Sequence, residues 1–189
     1  MSQTLLFPDA VPALFSDMLY LRELMEDDVP AWFERASDPE SAVLAGDPIP
    51  ESIEMSVQWL RRHRERFRQQ AGIRWVIVPK GSTDSVGTIG LDITSREKRI
   101  AELGIVIGRA HWGKGIGTSA ARLVTGYAFS KLGLAEIRAE ALQRNLASRR
   151  VLEKVGFRLL RTIPGDPHSD TDFEDCFLFV LSSQNRTPT

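Results

Sequence analysis

The sequence predicts one mixed α/β (α+β) domain with a central sheet flanked by helices. Three observations predict it. Short apolar runs of strand character alternate with longer amphipathic stretches of helical period, in the order strand, two helices, three strands, helix, strand, helix, two strands. A glycine-rich loop joins one strand directly to a helix. The 189 residues suit a single hydrophobic core, and no repeat, low-complexity segment or linker divides them.

Residues 1–17 carry Pro8 and Pro12 and show no period, so they read as an irregular arm laid on the domain through Leu5, Phe7 and Phe15. The domain is expected to span residues 18–183, with a frayed tail over 184–189. Met18 to Arg22 reads as the first strand. Asp27, Asp28 and Pro30 mark a helix start with an acidic first turn, and Trp32 and Phe33 lie on that helix. Pro39, Gly46, Pro48 and Pro50 make residues 37–50 a loop. Glu51 to Gln70 reads as a long helix with a broken stripe of Ile53, Val57, Leu60 and Phe67, ended by Gly72.

Ile73 to Val78 and Val86 to Ile93 form a hairpin across Lys80-Gly81-Ser82, and Ile100 to Ile107 is the next strand. A helix runs from Gly113 to Leu132, with Gly133 as its C-terminal cap. Ile137 to Leu142 is a strand. Asn145 and Gly156 bracket the following helix, Asn145 to Val155. Phe157 to Ile163 and Phe173 to Leu181 are the last strands, joined by a polar, acidic loop.

Composition excludes several classes. Lys+Arg total 24 against Asp+Glu 25, a formal net charge of −1, which argues against a dedicated nucleic-acid binder. The basic run Arg61, Arg62, Arg64, Arg66 and Arg68 reads as a solvated helix face. Cys176 is the single cysteine, so no internal disulfide forms. One Cys with scattered His63, His111 and His168 offers no metal-ligand spacing, and no metal is expected. No leader of the secretory type and no apolar run of membrane-spanning length is present, so the cytoplasm is the expected location.

The chemistry concentrates at Trp112-Gly113-Lys114-Gly115-Ile116-Gly117. Glycines at alternate positions let main-chain N–H groups face outward without a Cβ in the way. They stand at a helix start, where the dipole favours an anion, so the loop suits a pyrophosphate. The spacing differs from a dinucleotide-binding Rossmann loop, and a Walker A loop is excluded because Gly-Lys-Ser/Thr is missing.

Here the sequence resembles the GNAT superfamily of N-acetyltransferases. The family's cofactor motif reads Gln/Arg-x-x-Gly-x-Gly/Ala, and Trp112 to Gly117 occupies it with Trp in the leading place. A second element, Asn145-x-x-Ser148-x-x-Val151-Leu152-Glu153-Lys154-Val155-Gly156-Phe157, follows a helix and a strand later. Both the Trp-Gly-Lys-Gly run and the Asn-x-x-Ser helix ending in Gly-Phe are similar to the branch of ribosomal-protein N-terminal (alanine or serine) acetyltransferases.

The resemblance implies a GNAT fold, with a mostly antiparallel sheet whose fourth strand, here Ile100–Ile107, carries a bulge and splays from the fifth, Ile137–Leu142. It implies acetyl-CoA as cosubstrate, with its pantetheine arm in the gap against main-chain groups of Ile105, Val106 and Ile107. Its pyrophosphate would meet Gly113, Lys114, Gly115, Ile116, Gly117 and Thr118, with Trp112 in the motif. Asn145 either caps its own helix or bonds the pantetheine arm, and both can hold. The family often carries a Tyr acid on this helix; the two tyrosines here are Tyr20 and Tyr127, which leaves Ser148, or a water, beside the leaving thiolate.

Attack on a thioester needs a neutral amine, and a carboxylate that takes its proton is useful near neutral pH. Glu102 is the first candidate base and Asp92 the second. Asp166, His168, Asp170, Asp172, Glu174 and Asp175 form an acidic loop able to attract a cationic acceptor. His111 reads as structural. The expected activity is acetyl transfer to a primary amine, a protein N-terminal α-amine or a small molecule, in a ternary complex. The alternative is a non-catalytic CoA-binding sensor or partner-binding module. The arm offers a surface for a homodimer.

Overall fold

The computed structural model describes residues 4–46, 48–165 and 174–185. The expected acidic residues Asp166, His168, Asp170 and Asp172, with Phe173 and the tail beyond Asn185, lie outside the described residues.

The elements in chain order are β1 (Leu14–Phe15), β2 (Leu19–Glu23), α1 (Val29–Ala36), α2 (Pro39–Ala45), α3 (Ile53–Arg68), β3 (Gly72–Pro79), β4 (Gly87–Ser95), β5 (Ile100–Ile107), α4 (Ile116–Tyr127), β6 (Glu136–Leu142), α5 (Leu146–Val155), β7 (Arg158–Ile163) and β8 (Cys176–Ser182). The strands form one sheet in the order β1-β2-β3-β4-β5-β6-β8-β7. All neighbours are antiparallel except β5 and β6.

Strand alternation divides the core between two faces. Leu21, Trp75, Ile77, Leu91, Leu103 and Ile137 turn to one face and bury against Ala120, Ala121 and Val124 of α4 and Leu152 of α5. Val76 and Val78 turn to the other, against Leu24, Val29 and Leu60. Trp75 is fully buried, and its indole N–H donates to the Pro12 carbonyl at 2.7 Å, which fixes the arm to the sheet.

The arm is more regular than expected. Leu14–Phe15 pairs with β2, Leu5 is buried and Phe7 meets Phe67 at 5.3 Å between ring centroids. Phe15 is instead 70% exposed, so it does not anchor the arm.

The expected loop over 37–50 contains α2. Asp38 caps the Ser41 N–H at 2.8 Å, Pro39 opens the first turn, and Gly46 closes the helix at φ +69. The proline and glycine are the start and stop of a short helix. The long helix runs from Ile53 to Arg68. The helix expected from Gly113 begins at Ile116 and ends in a π turn over Ala128–Leu132, capped by Gly133 at φ +74. The last strand begins at Cys176 and extends to Ser182. The basic face of α3 is partly turned inward: Arg66 bonds Asp92, and Arg64 reaches the Leu24 carbonyl.

Candidate functional site

The site forms where β5 and β6 part. Their parallel pairing covers Ile100, Ala101 and Glu102 opposite Glu136, Ile137 and Arg138, and stops there. β5 continues to Ile107 and β6 to Leu142, with a gap between them. The expected splay is present, but the bulge is not on β5. It lies on the neighbouring β4, between Ile93 and Ser95.

Hydrogen-bond parity decides which β5 groups face the gap. Gly108 N–H donates to Val86 O, and β4 and β5 then pair antiparallel in register. In such a ladder alternate residues bond the partner strand. Val106, Gly104 and Glu102 therefore turn their main chain to β4, while Ile105 and Ile107 turn theirs to the gap. The three expected hosts narrow to two. The Trp112 indole N–H takes the Ile107 carbonyl at 2.6 Å, so this Trp clamps the glycine loop to the end of β5.

Gly113 and Gly115 both adopt positive φ, +74 and +78, a conformation that L side chains resist. Gly115 is the N-cap of α4 and supplies no side-chain cap; the first intrahelical bond is Ser119 N–H to Gly115 O. The N–H groups of Ile116, Gly117 and Thr118 are thus left at the helix start. Lys114 is exposed beside them, and the first turn carries no acid. By contrast Asp38 and Asn145 spend their side chains on the starts of α2 and α5. Gly117 serves packing: a Cβ there would lie 3.2 Å from Ile107 Cδ1 and 3.3 Å from Val151 Cγ2. The bare helix start, the positive-φ glycines and the open strand gap together fit a pyrophosphate with a long amide-bearing arm.

Asn145 works in two directions. Its Oδ1 accepts from Ser148 N–H at 3.0 Å and its Nδ2 donates to the Leu44 carbonyl at 3.2 Å. The residue caps α5 and ties it to the last turn of α2. Ser148 is half-buried on the first turn of α5. The α2 contact was not foreseen; its signal was Asp38 before and Gly46 after the seven-residue, apolar-rich run Pro39–Ala45.

Glu102 stands in the last paired position before the gap, opposite Asp92 on one side and Arg138 on the other. By alternation its side chain leaves on the face away from α4. Partial burial raises its pKa above the ordinary carboxyl value, the Glu140 and Asp92 charges add to this, and Arg74 opposes it. The carboxyl still touches solvent, which screens these charges. Asp92 is held by Arg66 at 2.8 and 2.9 Å and by Arg74 at 3.3 Å. Arg74 crosses the strands over Gly90 and Gly104, where a Cβ at Gly90 would meet its Nε at 2.6 Å, and donates to Gly104 O. His111 is half-buried and bonds Gly108 O through its main chain. Of the acidic loop, Glu174 pairs with Arg144 at 2.6 Å and Asp175 accepts from Gln143. Among the described residues no group of His, Cys, Asp and Glu gathers that would hold a metal ion, and no helix is long and apolar enough to cross a membrane.

Residues 18–158 match the family model described as Acetyltransferase (GNAT) domain. The chain is 34% identical over 147 residues to the uncharacterised N-acetyltransferase YoaA of Bacillus subtilis, covering 78% of this chain and 83% of that protein. Among solved structures it is similar to Mycobacterium smegmatis RimJ in complex with CoA-disulfide, with a TM-score of 0.80, 22% identity and coverage of 97% of this chain and 91% of the other. It is also similar to the spermidine N-acetyltransferase of Vibrio cholerae in complex with CoA and spermine, with a TM-score of 0.78, 18% identity and coverage of 90% and 98%. The glycine loop, the strand gap and the extent of these matches agree, and the chain belongs to the GNAT acetyltransferase family as an acyl-CoA-dependent acyltransferase.

Proposed function

We propose that the chain moves an acetyl group from acetyl-CoA to a primary amine, by direct attack within a ternary complex. The observation that carries this reading is the end of β5–β6 pairing at Glu102, which sets a carboxylate at the apex of the gap. Ile105, through its main-chain groups, and Ile107, through its N–H, would hold the pantetheine arm, the Ile107 carbonyl being taken by Trp112. Ile116, Gly117 and Thr118, with Lys114, would hold the pyrophosphate. Glu102 takes the proton from the acceptor amine, directly or through a water, and its raised pKa improves it as a base. Ser148, on the first turn of α5, would offer its hydroxyl to the departing thiolate.

A protein N-terminal α-amine and a small-molecule amine are both acceptors of this class. The amine in the name of the spermidine-acetylating neighbour supports the class, not one member of it. In this reading the catalytic unit is the 18–183 segment, with the arm laid against it, working in the cytoplasm.

The test mixes the protein with acetyl-CoA and a panel of peptides and small amines. Free thiol is followed by absorbance and acetylated product by mass. Acetyl-CoA binding without any product across the panel would replace this reading with the non-catalytic CoA-binding one.

A further inference from the structure

Arg35 sits on the last turn of α1, and its stem lies against Gly108, where a Cβ would come within 3.0 Å of Arg35 Cδ and 3.2 Å of Cγ. Its Nη1 donates to the Ser85 carbonyl at 3.1 Å and to Ser85 Oγ at 3.3 Å, both neutral acceptors. Among the described residues no Asp or Glu makes an ion pair with it. Its Nε is buried and has no hydrogen-bond partner. Burial pushes its pKa down to about 10, opposed by the charges of Asp28 and Glu34, so it keeps its charge near pH 7. Asp28 is itself held by Arg22 at 2.7 Å.

Arg35 lines a cavity of about 20 Å³ between α1, α2 and the sheet. Thr88 of β4 and Val106 of β5, partners across the two strands, form its floor. Trp32 and Ala42 give it apolar walls, and Ser41 brings a second polar group. Ser41 is 5% exposed, and its Oγ too is buried without a partner. Among the described residues no carboxylate lines the cavity. A buried guanidinium N–H and a buried hydroxyl left unbonded are costly unless a group from outside meets them. The volume exceeds the roughly 10–15 Å³ that one water-sized group needs. A water would meet the hydrogen bonds and leave the charge; a carboxylate oxygen meets both.

The cavity stands beside the β5–β6 gap. Ile105 and Ile107 send their side chains toward α4, where a Cβ at Gly117 would meet them at 3.7 and 3.2 Å. Val106 and Glu102 therefore share the opposite face. α2 crosses that face: it lines the cavity through Ser41 and Ala42, and its Leu44 carbonyl meets Asn145 at the start of α5. Resting on the reading of the gap as the acetyl-transfer site, we propose that the acceptor amine also carries a carboxylate, one oxygen of which enters this cavity and accepts from Arg35 Nε–H and Ser41 Oγ–H. Arg35 and Ser41 then select an amino carboxylate over a polyamine, while Glu102 remains the base.

The experiment titrates the full chain, saturated with CoA, with ω-amino acids from glycine to 6-aminohexanoate and with n-alkylamines of matching length, by calorimetry. At least one acid should bind about tenfold or more tightly than its matched alkylamine. Arg35→Met, which keeps an unbranched stem against Gly108 and removes the charge, should erase that preference. Ser41→Ala should reduce it several-fold. CoA binding by each variant verifies that it folds, and if Arg35→Met fails there, Ser41→Ala decides. No acid binding more tightly than its alkylamine, the outcome expected if a water alone fills the cavity, overturns the proposal. So does a preference that survives in Arg35→Met or is undiminished in Ser41→Ala. None of these readouts uses turnover, so failure of the acetyl-transfer reading would show separately.

Discussion

Asp92 and Glu102 face each other across β4 and β5, and their surroundings are opposite. Asp92 is gripped by Arg66 and Arg74. Among the described residues Glu102 has no cationic hydrogen-bond partner, and the Asp92 and Glu140 charges add to the effect of burial on it. Asp92 is thus committed to ion pairs, while Glu102 is the carboxyl whose pKa its surroundings raise. Glu102→Gln should lower kcat by about 10²–10⁴ and abolish the acid limb of the pH profile. In the unaltered chain that limb should lie above the ordinary glutamate value. Asp92→Asn removes a negative neighbour and its ion pairs with Arg66 and Arg74, so the limb should move to lower pH. A limb unchanged in both variants would show that another group is the base.

Gly115 and Gly133 provide a matched pair for the donor site. Both sit at positive φ, +78 and +74, and neither has an atom within 3.4 Å of an added Cβ. Alanine at either should cost about 1–2 kcal/mol of backbone strain. Both variants should therefore lose similar thermal stability, a few degrees in Tm. Only Gly115→Ala tilts the N–H groups at the start of α4. It should raise the KM for acetyl-CoA several-fold while Gly133→Ala leaves it unchanged. Equal KM values in the two variants would remove the helix start from the binding surface.

Asn145 can be separated into its two bonds by substitution. Asn145→Asp keeps an acceptor for Ser148 N–H and adds a charge favourable at a helix start. It loses the donor to Leu44 and sets a carboxylate against that carbonyl. Asn145→Ala loses both bonds and should cost about 1 kcal/mol of helix capping. If the α2 tether matters to the site, both variants should lower kcat/KM, while only the Ala variant shows the capping loss in urea denaturation. Full activity in Asn145→Asp would confine this residue to capping.

The glycine loop was readable in the sequence because the main-chain conformation there needs glycine. Only glycine takes Gly113 and Gly115 into positive φ without strain, and a bare helix start requires the absence of a capping side chain. Such constraints leave marks at fixed spacing. The strand gap was legible only through family resemblance, since nothing in Ile100–Ile107 or Ile137–Leu142 says where pairing stops. Parity within β5, which favours Ile105 and Ile107 over Val106, depends on the register with β4 and is a property of two strands together. α2 was missed because Pro39 and Gly46 mark helix ends and loops alike. The inward turn of Arg64 and Arg66 was missed because a charged stripe on α3 looks the same whether it meets water or a carboxylate such as Asp92.

His63 gives a prediction that needs no ligand. In the folded chain its pKa falls to about 3, held down by burial and by the nearby arginines, against an ordinary value of 6.5. The unfolded chain therefore binds more protons on His63 than the folded one between these two values. Stability must fall as pH drops below about 6.5, at up to about 1.4 kcal/mol per pH unit from this group. His63→Phe keeps a flat ring against Trp59, which the imidazole now meets edge-on at 4.4 Å, and removes the titration. Urea denaturation at pH 7 and pH 5 should show the unaltered chain losing about 1–2 kcal/mol more than the variant over that interval. Parallel losses in the two proteins would mean that His63 is protonated in the folded state at pH 5, and that the guanidiniums of Arg62, Arg66 and Arg74 do not act on it as their positions require.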